Sequence, residues 1–457
     1  MLLSKKIASF CSDFKAMPIP KVVIDKAIEA IVDGTGVGIA AKNYNFSNII
    51  IKTLREFSES GDISIFGQKI KLSLRDSILA NSALIHGLDF DDTHVASVTH
   101  CTASLWPTCY ALGVTKEKSG LDTLRAYILG YEIAARLGML GDGELQAKGY
   151  HPTGIIGIFG CTVSACYLKD CRVDETENAI GIALSLASGN MQFIDEGAWN
   201  KRLHPGWAGQ GGVLAANLAK NGFIGPKLAF EGKFGLFRTI MGRDKKNIEK
   251  VFSGLGSDWK ILENAIKPYP ACHFNHAFAD CALKLSKEKN FSVNNIKKII
   301  AYIHPDQVSL VCDPLEKKQV PQNQYEAQFS VPYIVASILV NGKFSLAHLR
   351  PEALNDQNVI EISKKVTYER TFDSEYPNYF SGWLKILDKN GRSFEKKIRY
   401  NRGSIKNPIT TRFIMEKYFD NSEDIIGQSR AQEIYQEIKQ LPKCPNLSKL
   451  NELFFVS

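Results

Sequence analysis

His86-Gly-Leu-Asp-Phe-Asp-Asp-Thr-His-Val-Ala-Ser-Val-Thr-His100 sets three carboxylates, three hydroxyls and three imidazoles between two apolar runs. The run before it, Ile78-Leu-Ala-Asn-Ser-Ala-Leu-Ile-His86, has helical spacing. So does the run after it, Ala103-Ser-Leu-Trp-Pro-Thr-Cys-Tyr-Ala-Leu-Gly113, with Pro107 expected near a helix start. The fold is read outward from this unit, a polar loop between two packed helices, which is where catalytic groups tend to sit. Three chemistries compete for the loop: divalent-metal binding, direct proton transfer, and simple capping of helix ends. Neither a His-x-x-x-His helix nor an Asp-rich loop closed by a bidentate Glu is present, so no metal is expected. Proton transfer is favoured, with His100 as the titrating group because an imidazole ionises near neutrality, and Asp89 or Asp91 to orient it.

Outward from the loop, residues 1–265 read mostly as helices. Val22 to Val32, Gly120 to Leu137, Ile155 to Leu168, Glu175 to Ala187 and Ala208 to Lys220 all carry apolar or small residues at helical steps. Gly34-Thr-Gly-Val-Gly38 follows a helix rather than a strand, so it reads as close helix packing and not as a dinucleotide loop. After about residue 266 strands enter, at Ile296 to Ile303 and Lys364 to Thr371. A hairpin from Gly382 to Tyr400 turns at Asn390-Gly391, and helices are expected at Asn275 to Glu288 and Ala327 to Val340. The expected architecture is a large all-helical domain, 1–265 completed by C-terminal helices 405–457, and a smaller α+β domain, 266–404.

At 457 residues, with 44% hydrophobic and 23% charged residues, the chain has the make-up of a soluble globular protein of two domains. Its uncharged stretches are too polar to span a bilayer and the N-terminus offers no signal-peptide core, so a cytoplasmic protein is expected. A net charge of +8 is spread over scattered pairs such as Lys5-Lys6 and Lys297-Lys298, which excludes a nucleic-acid surface and mildly favours an anionic substrate. The ten cysteines show no disulfide framework. Cys161, Cys166 and Cys171 stand five apart, and on one continuous helix each step rotates the thiol by about 140°, so they cannot converge on an iron–sulfur cluster.

Two further polar groupings stand out. Trp199-Asn-Lys-Arg-Leu-His-Pro-Gly-Trp-Ala208 puts Lys201, Arg202 and His204 just before a small-residue helix, where a bound anion would relieve the clash of cations with the helix dipole; a solvated basic turn is the alternative. Ala265-Ile-Lys-Pro-Tyr-Pro-Ala-Cys-His-Phe-Asn-His276 stands where the second domain begins, and a cleft between the domains would bring Lys267 and His273 towards the first.

With these residues assembled, the sequence resembles the MmgE/PrpD family. The resemblance rests on Asp89-Phe-Asp-Asp-Thr93 with His100 downstream, Gly149-Tyr-His-Pro-Thr153, Lys201-Arg-Leu-His-Pro-Gly206, Asn221-Gly-Phe-Ile-Gly-Pro226, Lys267-Pro-Tyr-Pro270 and Glu326-Ala-Gln-Phe-Ser-Val-Pro-Tyr333, in the family's order over nearly the whole chain. It implies a homodimer with a helical large domain and an α+β lid, acting without cofactor or metal on a small di- or tricarboxylate. Members include 2-methylcitrate dehydratases, cis-aconitate decarboxylases and iminodisuccinate epimerases. By the same resemblance Asp89, Thr93, His100 and His151 are implied as catalytic, the two histidines as the proton-transfer groups, and Lys201, Lys267, Tyr333 and His273 as substrate-binding. A proton next to a carboxylate is weakly acidic, so cations must neutralise the enolate-like species while a histidine moves the proton. Loss of hydroxide, loss of carbon dioxide or return of the proton to the other face then separates dehydratase, decarboxylase and epimerase. A non-catalytic carboxylate-binding or scaffold protein is the remaining alternative.

Overall fold

Between Lys21 and Lys220 the chain builds a frame of helices: α1 (Lys21–Ala40), α2 (Leu74–His86), α3 (Cys101–Thr115), α4 (Gly120–Met139), α5 (Pro152–Leu168), α6 (Val173–Leu186) and α7 (His204–Lys220). The computed structural model describes all residues except 58, 59, 245, 246, 378 and 457. The chain divides into two units, Met1–Ile266 with Thr410–Ser457, and Lys267–Ile409.

Helix α5 is apolar on every side, and all its residues are buried, as such a helix must be in a soluble frame. Helices α3, α4, α6 and α7 pack around it. Small residues set how closely they approach. A Cβ on Gly160 of α5 would come within 2.7 Å of the Gly130 carbonyl oxygen of α4. On α7, a Cβ at Gly212 would lie 2.8 Å from the Thr162 backbone nitrogen, so a substitution at either crossing forces the helices apart. Ser73 and Ser119 start α2 and α4 by accepting from the N–H groups of Asp76 and Asp122. Pro107 does not mark the start of α3. The helix begins at Cys101, directly after His100, and Pro107 lies inside it. Burial of nearly the whole helix outweighs the one hydrogen bond that proline removes.

The polar loop is tied down at several points. Its strand β1 (Thr93–His94) pairs antiparallel with β2 (Asn264–Ala265). Asp89 and Val98 both adopt left-handed backbone, with φ of 50° and 53°. For β-branched Val98 this is a costly conformation that only surrounding contacts sustain, and such strain gathers at functional loops.

The second unit has a four-stranded sheet with β3 (Ile296–Ile303) and β4 (Val366–Arg370) parallel, and β5 (Gly382–Asp388) antiparallel to both β3 and β6 (Ser393–Ile398), in the order β4-β3-β5-β6. Alternate β5 residues are buried, under helix α8 (His276–Leu285), which is the period-2 pattern of a half-buried strand. Helix α9 (Val331–Asn341) packs on α8. The single helix expected from Ala327 is interrupted because the Ser330 side chain accepts from the Tyr333 N–H and restarts it as an N-cap.

The C-terminal segment returns to the first unit as α10 (Thr411–Ile426), which packs along α1. Lys417 Nζ lies 2.7 Å from Asp33 Oδ1, both side chains being almost fully buried. The same ammonium donates to the Phe90 carbonyl oxygen at 2.8 Å, so α10 also fixes the polar loop. Helix α5 ends at Leu168, so the premise of one continuous helix through all three thiols fails: Cys171 lies beyond the helix and its N–H bonds to the Cys166 carbonyl at 2.9 Å. Cys161 instead packs beside Thr108. Among the described residues no helix is long and apolar enough to cross a membrane.

Candidate active site

Four imidazoles meet at helix ends of the first unit. His86 closes α2, His100 and His151 immediately precede α3 and α5, and His204 opens α7. The ends are stitched together. The His100 N–H donates to Thr153 Oγ1 at 3.1 Å, and the Nδ1 atoms of His151 and His204 stand 2.9 Å apart. The ring of His86 lies 4.8 Å from that of His100 and 5.5 Å from that of His151, stacked on the latter. Three helix N-termini therefore converge on one polar centre and bring the positive ends of three helix dipoles to it.

The carboxylates divide the work in a way the sequence order conceals. Asp91 Oδ2 accepts from His86 Nδ1 at 2.8 Å and lies 3.5 Å from His100 Nδ1. The closer partner of His100 is the backbone carbonyl oxygen of Asp92, at 2.8 Å, with Thr93 Oγ1 at 3.3 Å. Asp89 takes the buried Lys201 ammonium, Nζ to Oδ1 2.5 Å. One anion of the protein, Asp89, thus stands at the basic turn. Arg202, also buried, donates to the Gly87 carbonyl oxygen at 3.0 Å and stacks over Phe46. His94, as prominent as His100 in the sequence, is structural: its Nδ1 lies 2.9 Å from Ser97 Oγ and its Nε2 3.5 Å from Glu263 Oε2.

Burial governs the protonation of this centre. It pushes His151 well below the ordinary imidazole value, with His204, His86, Lys201 and His100 adding to the effect. It pushes His204 down to about 4, helped by His86 and Lys201. Asp92 is raised to about 7 by burial, with Asp91 and Asp33 adding repulsion against the hydrogen bonds it accepts. A carboxyl whose folded pKa exceeds its unfolded one costs stability as pH climbs from about 4 through 7. Asp92→Asn is therefore expected to stabilise the protein at pH 8 relative to pH 4, by an amount on the order of a few kcal/mol. The depressed histidines act with opposite sign over the same range, so the test is the difference between variant and parent in denaturant titrations. A difference that stays constant with pH refutes the assignment.

One nitrogen from each of His86, His100 and His151 lies within 4.8 Å of the others, so these rings are the residues that could hold a cation. The same rings can also pass protons.

In the second unit Lys267 and His273 are buried, and His273 Nε2 lies 2.9 Å from Asn401 Nδ2. The Tyr333 hydroxyl donates to the His348 carbonyl oxygen at 2.8 Å, with that of Ala353 at 3.2 Å. His86 and His204 are not among the residues that the sequence marks as catalytic or substrate-binding, and Asp91 enters there only as one of two candidates to orient His100. His86 and Asp91 lie in the opening stretch and His204 beside Lys201, so proximity to the named residues was the available signal.

A helical unit with a buried imidazole–carboxylate–lysine centre, joined to an α+β unit, is the protein class that this fold and site define. Residues 5–249 match the MmgE/PrpD N-terminal domain and residues 269–442 the MmgE/PrpD C-terminal domain, and the chain belongs to this family. It is similar to a cis-aconitate decarboxylase-like protein, oryM, of Aspergillus oryzae, at 25% identity over 98% of this chain and 96% of that one. It is also similar to the cis-aconitate decarboxylases of Aspergillus terreus, at 26%, and Homo sapiens, at 25%; each match covers 99% of this chain and 95% of the relative.

Proposed function

We propose that the chain is a lyase that moves a proton next to a carboxylate of a small di- or tricarboxylic acid, of the cis-aconitate decarboxylase or 2-methylcitrate dehydratase type. The observation that carries this reading is the meeting of three helix N-termini and four imidazoles beside buried Lys201. Helix N-termini and a lysine attract carboxylates, and neutral imidazoles give and take protons near neutrality. In this reading Lys201 and the helix ends hold a substrate carboxylate, His100 and His151 exchange protons with the adjacent carbon, and Thr93 keeps His100 in place. Lys267, His273 and Tyr333 are proposed as substrate contacts on the strength of the family resemblance alone. The names of the relatives favour decarboxylation; epimerisation of a dicarboxylate such as iminodisuccinate is the second reading, because the same ring set can return a proton to either face.

The test is incubation in D2O with cis-aconitate, 2-methylcitrate and iminodisuccinate, followed by NMR and mass spectrometry. For one of them, either carbon dioxide is expected to leave as one deuterium enters a carbon next to a carboxylate, or water is expected to leave with an α-proton to give an alkene. No turnover and no exchange with any of the three overturns the proposal. Activity is expected to survive dialysis against EDTA, since the chemistry is assigned to the rings. Loss on chelation with recovery on adding one divalent ion revives the metal reading. The homodimer implied by the resemblance belongs to the same proposal: Leu203, just before α7, and Trp207 and Leu214 on it are exposed apolar side chains, and light scattering should give twice the chain mass.

A further inference from the structure

What each Nδ1 faces fixes the tautomers of the rings. His100 Nδ1 points at a backbone carbonyl oxygen, which only accepts, so it carries the proton and its Nε2 is a lone pair. His86 Nδ1 faces the Asp91 carboxylate and is fixed the same way. Its buried Nε2 has no hydrogen-bond partner among the described residues. His151 is different, because the group 2.9 Å from its Nδ1 is another imidazole nitrogen, which can donate or accept. One proton stands between the two rings. Were it held by His151, all three inner rings would present bare Nε2 atoms and the site would have acceptors but no imidazole donor.

We propose that His204 donates its Nδ1–H to His151 Nδ1 and so holds His151 as the Nε2–H tautomer, making His151 the acid of the site and leaving His100 as its base. His204 is then a positioning residue, and the assignment rests on the proton-transfer reading above. The groups facing the pair are His86, His100 and Lys201 and the ring of Phe193; burial opposes protonation of His151 most strongly, and the Lys201 charge adds to it. Both rings are therefore neutral near pH 7. His204 is also the most exposed of the four imidazoles, which gives the donated proton a source. As the Nε2–H of His151 leaves to substrate, the Nδ1–H of His204 passes to His151 and a proton from water joins His204 Nε2. Both rings end neutral with their protons on the opposite nitrogens, and one solvent proton has been delivered.

The test uses the whole protein labelled with nitrogen-15 histidine, without substrate, reading tautomers from two-bond nitrogen–proton correlations; a His151→Asn sample assigns the signals. In the parent, His151 is expected to be protonated at Nε2. His204→Asn, whose amide can still donate at the Nδ1 position, should keep that state, whereas His204→Asp, whose carboxylate only accepts, should shift most of the population to Nδ1–H. An Nδ1–H signal for His151 in the parent overturns the proposal by itself. So does an unchanged tautomer in a folded His204→Asp protein. With an acid that is turned over, His204→Leu should lower kcat at least about tenfold with KM little changed, and His204→Asn should recover part of it. The spectra need no turnover, so failure of the lyase reading and failure of this assignment are seen separately.

Discussion

Replacing His100 by asparagine is expected to cut turnover by ~10²–10⁴-fold, the usual contribution of a general acid or base, while the melting temperature moves by no more than a few degrees. The asparagine amide can take over donation to the Asp92 carbonyl oxygen, which His100 Nδ1 makes at 2.8 Å, so the loop keeps its anchor. What disappears is the Nε2 lone pair. Steady-state rates with the acid identified by the substrate panel, set beside thermal unfolding, decide the matter. A folded variant with near-parental turnover removes His100 from the mechanism.

Lys201→Met is expected to be costly in two separable ways. The lysine and Asp89 are both buried and in contact, so removing the cation strands a carboxylate in a low-dielectric setting, typically at ~3–5 kcal/mol of stability. The double variant Asp89→Asn/Lys201→Met removes both charges and should recover much of that loss. It should not recover substrate binding, because the site then lacks the cation assigned to a substrate carboxylate. Calorimetry with a non-reacting tricarboxylate, alongside Lys298→Ala as a distant control, separates the two effects. Binding by the double variant as tight as the parent's would leave Lys201 a purely structural residue.

The sequence announced the polar loop, the helical frame and the β3 strand, because burial imposes simple periods on such segments. Alternation along β5 and the Asn390-Gly391 turn marked the hairpin. Pairing across space was another matter. Asp89, Asp91 and Asp92 stand almost side by side in the chain, yet they face Lys201, His86 and Thr102 respectively. Such neighbours are set by loop strain and by helices far along the sequence, and no local period encodes them. His94 and His100 were equivalent by composition until β2 brought Glu263 to one of them. His204 drew notice as part of a basic turn, and only the approach of α7 to α5 gave its ring a partner. The start of α3 was misplaced for a related reason: proline is a reliable local signal, and long-range burial overrode it.

The return of α10 to α1 has a consequence for how the protein is made. A ribosome releases residues in order, so the first 266 emerge, and the 143 of the inserted unit after them, before Lys417 exists. Until then Asp33 lacks the ammonium that contacts it and has only the weaker attraction of Lys26 on its own helix, and burying its carboxylate without that contact is strongly unfavourable. The inserted unit is contiguous in sequence and can fold first as a piece. The larger unit must wait, open around α1, for the last part of the chain. Nascent chains stalled just short of Lys417 should therefore be protease-sensitive through the polar loop, and a chaperone that shields apolar helices would find its longest-lived client there.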